Sequence, residues 1–133
     1  MTPALKDSET QARNSTHILI VDDDREAGKT LAMMLAATGY DEIKTVRSAA
    51  RALAIATTFQ PAIAFLGTLP SDGPGTDLAS LLHKNARQQT IRVIALTDNV
   101  EHPAKEVARA AGFERYLTRP VTQIELDKVM RRT

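Results

Sequence analysis

From His17 onward, short apolar runs alternate with stretches whose apolar residues recur at helical spacing, and this alternation constrains the fold more than any other feature. It is the pattern of a parallel sheet covered by helices on both faces. The spacing predicts strands over His17–Asp22, Glu42–Val46, Ala62–Leu66, Ile91–Leu96 and Phe113–Leu117. Continuous runs such as "ILIV" and "VIAL" suit central strands buried on both faces, whereas the thinner "EIKTV" suits an edge. Between them, Ala27, Leu31, Met34, Leu35 and Thr38 mark a first helix that Asp24 caps and Gly39 ends. Ser48 opens a second helix and Thr76 a third. A fourth runs from Pro103 to Ala111 and stops at Gly112. The last starts at Thr122, which with Glu125 forms a capping box. Five βα units in an α/β, doubly wound, five-stranded parallel sheet result.

Residues 1–16 are polar and read as a leader or linker, with room for a short helix from Pro3; residues 17–133 read as one domain. The chain has no cysteine, so disulfides, thiolate metal sites and cysteine nucleophiles are excluded together, and a cytoplasmic location is expected. A formal net charge of +1 offers no general attraction to nucleic acid or an anionic membrane, and no apolar run approaches the length that spans a bilayer. His17, His83 and His102 lack metal-ligand spacing and read as surface or edge packing. Gly73 and Gly75 are not followed by the Gly-Lys-Ser/Thr ending of a phosphate loop, so nucleotide hydrolysis is not expected.

In an open sheet of this kind, ligands sit outside the carboxyl ends of the strands. Asp22, Asp23 and Asp24 stand there after the first strand, Gly67 after the third, Thr97 after the fourth and Arg119-Pro120 after the fifth. Adjacent carboxylates repel unless a cation compensates. Oxygen donors of this kind suit Mg²⁺. The alternative is that Asp24 caps the helix while its neighbours are solvated at the helix's positive end.

The motifs "ILIVDDD", "PAIAFLGTLP", "VIALT" and "AAGFERYLTRPV" stand in the order and spacing of the receiver domains of bacterial response regulators, and the chain resembles that family over about residues 17–132. In detail it is similar to receivers attached to hybrid sensor kinases. The resemblance implies the flavodoxin-like (βα)5 fold. It also implies transfer of a phosphoryl group from a phosphohistidine to an aspartate at the end of strand 3, with Mg²⁺ held by the acidic pair. By the same resemblance Asp22 and Asp23 match that pair, Thr97 the hydroxyl that contacts the phosphoryl group, Tyr116 the aromatic switch and Arg119 the basic position. Arg119-Pro120 would then carry a cis peptide bond.

Two positions depart from the family's pattern. Counting six residues from Pro61, the acceptor falls on Gly67, and the alternative alignment deletes the acceptor position; either way no carboxylate ends strand 3. The basic position holds arginine instead of lysine, and a planar guanidinium suited to two carboxylate oxygens is no substitute for a compact ammonium. The expectation is a pseudo-receiver without turnover, with Mg²⁺ binding weak or lost and Arg119 paired to Asp22 or Asp23 in the metal's place. Tyr116, with no phosphorylation to drive it, would keep a fixed rotamer.

Such a module would act through protein partners: a histidine kinase, a phosphotransfer protein, another receiver, or a second copy through the fourth helix, fifth strand and last helix. One alternative is an active acceptor that uses Asp72 in the loop "SDGPG" with Mg²⁺, although Asp72-Gly73 is also ordinary turn chemistry. Another is a small-molecule binder in the space that the missing side chain leaves beside Gly67.

Overall fold

The computed structural model describes residue 13 and residues 15–67, 75–87, 90–99, 101–102 and 104–131. Ten elements alternate: β1 (Ile18–Val21), α1 (Arg25–Ala37), β2 (Ile43–Val46), α2 (Ala49–Phe59), β3 (Ile63–Leu66), α3 (Gly75–Asn85), β4 (Arg92–Thr97), α4 (Lys105–Ala110), β5 (Arg115–Thr118) and α5 (Gln123–Arg131). The strands form one parallel sheet in the order β2-β1-β3-β4-β5. This is the flavodoxin-like (βα)5 arrangement, and its chain order reverses between β1 and β3, where open α/β sheets keep their sites.

Strand periodicity assigns the two cores. Leu19, Val21, Ala64, Leu66, Val93 and Ala95 point to one face and meet Ala52 and Ala56 of α2, Leu78, Ala79 and Leu82 of α3, and Ala108 of α4. Ile18, Ile20, Ile63, Phe65, Ile94 and Leu96 point to the other and meet Leu31 and Leu35 of α1 with Leu126, Val129 and Met130 of α5. Both sides of β1 and β3 are therefore fully buried, which is why they read as unbroken apolar runs. β2 keeps only Val46 buried and lies at an edge, as its sequence predicts.

The helix ends follow local chemistry. The Asp24 carboxylate accepts from the Glu26 and Ala27 amides, and the Ser48 hydroxyl accepts from the Arg51 amide. The Glu125 amide donates to the Thr122 hydroxyl, which itself donates to the Glu125 carboxylate. At the end of α1 the Gly39 amide donates to Ala36 and that of Tyr40 to Leu35, a reversal that needs the positive φ of +104° at Gly39.

Some boundaries differ from the periodicity. β4 runs one residue further, to Thr97, because Thr97 pairs with Thr118 across to β5. β5 itself starts at Arg115, since Phe113 is spent in the turn that follows Gly112, where it packs into the core. α4 is shorter than predicted and begins at Lys105 after a cap, Ala104, that makes no side-chain hydrogen bond. The polar leader up to residue 12, the Thr76 cap and Asp72 lie outside the described residues or side chains. Among the described residues, no helix is long and apolar enough to cross a membrane.

Candidate functional site

The site is built where β1, β3, β4 and β5 end. Asp22 follows β1 directly, and its backbone amide donates to the Val46 carbonyl, which fixes the residue against β2. Its side chain is only 1% exposed and turns toward β3. There, Gly67 continues the line of β3 by donating its amide to Val21 O at 2.7 Å. A Cβ built on Gly67 would lie 2.1 Å from Asp22 Oδ2 and 2.5 Å from Asp22 Cγ, both far inside van der Waals contact. The carboxylate of Asp22 thus occupies the place that a side chain at position 67 would need. The space expected beside Gly67 for a small molecule is filled from within, by a neighbouring strand end.

The counter-charge comes from β5. Arg119 donates its backbone amide to Thr97 O at 2.7 Å, which sets it beside the end of β4. From there Nη1 donates to Asp22 Oδ2 at 2.9 Å, while Nε donates to Asp98 Oδ1 at 3.1 Å and Nη2 to Asp98 Oδ2 at 3.4 Å. The expected pairing of Arg119 with an aspartate after β1 is present, and Asp22 is the partner. The second partner, Asp98, was not singled out from the sequence. Its signal was its place directly after Thr97 at a strand end, where it reads equally well as a turn residue. The peptide bond between Arg119 and Pro120 is cis.

The three consecutive aspartates therefore have three roles. Asp22 is buried in the ion pair and also accepts the Asp24 amide on Oδ1 at 2.9 Å. Asp24 is the exposed cap of α1. Asp23 is half-buried, its backbone oxygen accepts from Arg47 Nε, and with Asp24, Ala27, Asp98 and Arg119 it lines an open depression of about 380 Å³. Thr97 accepts the Asn99 amide on its hydroxyl at 3.0 Å, a local turn bond that holds it at the rim.

Mg²⁺, which the fold family implies, requires several free oxygen ligands. Both carboxylate oxygens of Asp22 already accept hydrogen bonds, one of them from a guanidinium, and position 67 supplies no side-chain oxygen. As arranged, the donor set does not fit the ion. Among the described residues no three His, Asp or Glu side chains cluster so as to hold a metal.

Tyr116 is half-buried and lies further from this centre, packed on the core of α2, α3 and α4 with its ring 5.3 Å from Phe113 and 5.9 Å from His102. His102 is fixed in turn by its Nε2, 2.7 Å from the Thr118 hydroxyl. The other two histidines pack as expected: His17 stacks on Phe59, and His83 Nε2 lies 2.8 Å from Gly112 O. Outside the strand ends, a groove of about 600 Å³ runs between α4, β5 and α5. Lys105, Arg109, Arg115 and Lys128 line it, and none of them forms an ion pair with a described residue. The carboxylates in its wall are committed elsewhere, Glu114 to Arg92 Nε at 2.7 Å and Glu125 to Thr122.

Comparison with known proteins agrees with the fold. A solved two-component response regulator from Clostridium difficile superposes with a TM-score of 0.77 at 23% identity, covering 89% of this chain and 94% of that one. A CheY-like response regulator receiver domain from Methylobacillus flagellatus gives 0.77 at 24% identity, over 88% and 97% of the two chains. By sequence, the chain is 30% identical over 114 residues to the "Uncharacterized 14.6 kDa protein in sodA1 3'region" of Leptolyngbya boryana, covering 85% of this chain and 86% of that protein. The profile of the response regulator receiver domain matches residues 18–131, nearly the whole of the βα core, and the chain belongs to that family.

Proposed function

We propose that this chain is a signalling receiver that works by contact and not by phosphoryl transfer, without turnover and without Mg²⁺. The observation that carries the reading is the 2.1 Å approach of Asp22 Oδ2 to the Cβ position of Gly67: the place of an acceptor side chain is taken by a carboxylate already engaged with Arg119. A phosphoryl-transfer site needs a nucleophile and clustered positive charge to neutralise the phosphoryl in flight. Here the strand-3 position offers no side-chain nucleophile, and the Arg119 guanidinium at the strand ends is spent on Asp22 and Asp98.

The surface for contact is the α4-β5-α5 face, where a cationic groove lies beside the exposed side chains of Val107 and Ile124. A histidine kinase, a phosphotransfer protein, another receiver or a second copy of the chain is the partner class, in the cytoplasm. The deciding experiment is intact mass after incubation with a small phosphodonor and Mg²⁺, on the wild type and on Asp72→Ala. No adduct on the wild type is expected. An adduct that Asp72→Ala abolishes would show that the acceptor has moved into the loop after β3 and that phosphotransfer persists.

A further inference from the structure

We infer that Arg119 is the resident cation of the acidic pocket and that Gly67 is its steric complement, so that the two positions form one lock across the strand ends. Asp22 is 1% exposed, and a carboxylate so far from water requires a fixed counter-charge. The Arg119 fork supplies it and reaches Asp98 with its remaining nitrogens, using a geometry that lysine does not have.

The coupling to Gly67 is steric. With Asp22 turned toward Arg119, its Oδ2 stands 2.1 Å and its Cγ 2.5 Å from where any Cβ at position 67 must go. The obstacle cannot yield cheaply, because moving the carboxylate breaks the 2.9 Å bond to Nη1 and the 2.9 Å bond from the Asp24 amide together. A side chain at 67 and the Arg119–Asp22 pair therefore exclude each other. A divalent ion at Asp22 is excluded for the same reason, since it would have to displace the guanidinium.

This inference rests on the contact reading of function and adds its regulation. The ends of β1, β4 and β5 are tied through Asp22, Asp98 and Arg119 by groups the chain carries itself. The groove between α4, β5 and α5 is consequently held in one arrangement, with no input from phosphorylation or Mg²⁺.

The test is thermal unfolding of the full chain with and without Mg²⁺ at matched ionic strength, on the wild type, Gly67→Ala, Asp22→Ala, the double variant of these two, and Gly67→Asp with Arg119→Lys. Mg²⁺ should leave the wild-type Tm unchanged, whereas an ion that binds the folded state would raise it. Gly67→Ala should lower Tm by roughly 5–15 °C, the range expected for overpacking a tight site. In the Asp22→Ala background the same change should cost less than half as much. Gly67→Asp with Arg119→Lys should acquire a Tm that rises with Mg²⁺.

A Mg²⁺-dependent rise in the wild type, or equal costs of Gly67→Ala in the two backgrounds, overturns the lock. If Asp22→Ala does not fold, the wild-type Mg²⁺ titration still decides. The two readings fail separately: a wild type that forms no phosphoryl adduct yet is stabilised by Mg²⁺ keeps the contact function and loses the lock.

Discussion

At the scale of single residues, neighbours of the same type are separated by what surrounds them. Asp22, Asp23 and Asp24 are chemically identical, yet one is sealed in an ion pair, one lines a depression and one caps a helix. Tyr40 and Tyr116 divide in the same way. Tyr116 is half-buried beside His102, while Tyr40 is buried against α1 and α5, and that burial holds its phenol above the ordinary value near 10 despite the Arg13 guanidinium 5.8 Å from its ring. The folded state thus keeps the Tyr40 proton more tightly than the unfolded chain does. Its contribution to stability is complete below about pH 10 and is lost as pH climbs through the folded value. Denaturant melts above that pH should show a stability loss that Tyr40→Phe reduces; an unchanged alkaline limb in Tyr40→Phe would assign the loss to other groups.

At the scale of elements, α1, α2 and α5 are each held by a capping side chain and by an apolar stripe. Asp24 satisfies two amides at the start of α1 and stands beside the site, so Asp24→Ala should cost about 0.5–2 kcal/mol by loss of the cap. Thr122→Ala, which breaks the capping box of α5 on the exposed side of the molecule, should cost a similar amount. The two are measured in one series of urea melts, with m-values unchanged if only the caps are lost. These features were legible in the sequence because a cap depends on residues three positions apart. The start of β5 was not, because Phe113 has the composition of a strand residue and only the turn at Gly112 decides that it packs before the strand begins. Asp98 escaped notice for a related reason: its partner Arg119 is twenty-one residues away, and nothing local distinguishes it from a turn aspartate.

For the whole molecule, the alternation of runs was enough to read fold class and the edge strand β2, since both follow from which faces must be buried. The site's content was legible only in part. The missing carboxylate at Gly67 and the pairing of Arg119 with an aspartate after β1 could be read, because both follow from residue type at known strand ends. That the space beside Gly67 is filled could not, because it depends on the direction in which Asp22 turns. The sheet order places β1, β3 and β4 inside and β2 and β5 at the edges. Amides of Ile20, Phe65 and Ile94, 0% exposed and at the centre of the sheet, should accordingly exchange with solvent only on global unfolding. Those of Lys44 and Thr45 on β2 should exchange faster, through local opening, and equal rates along all five strands would contradict this layering.

The crowding of Asp22 against Gly67 has a consequence for the order in which substitutions can be made as well as for stability. An aspartate introduced at 67 would arrive where Asp22 leaves no room for it, and a lysine introduced at 119 would lack the fork that reaches both Asp22 and Asp98. Each of these changes is disfavoured until the other has been made. Substitutions lining the groove between α4, β5 and α5 touch neither side of this constraint, because none of the groove's cationic residues takes part in the Asp22–Arg119–Asp98 ties.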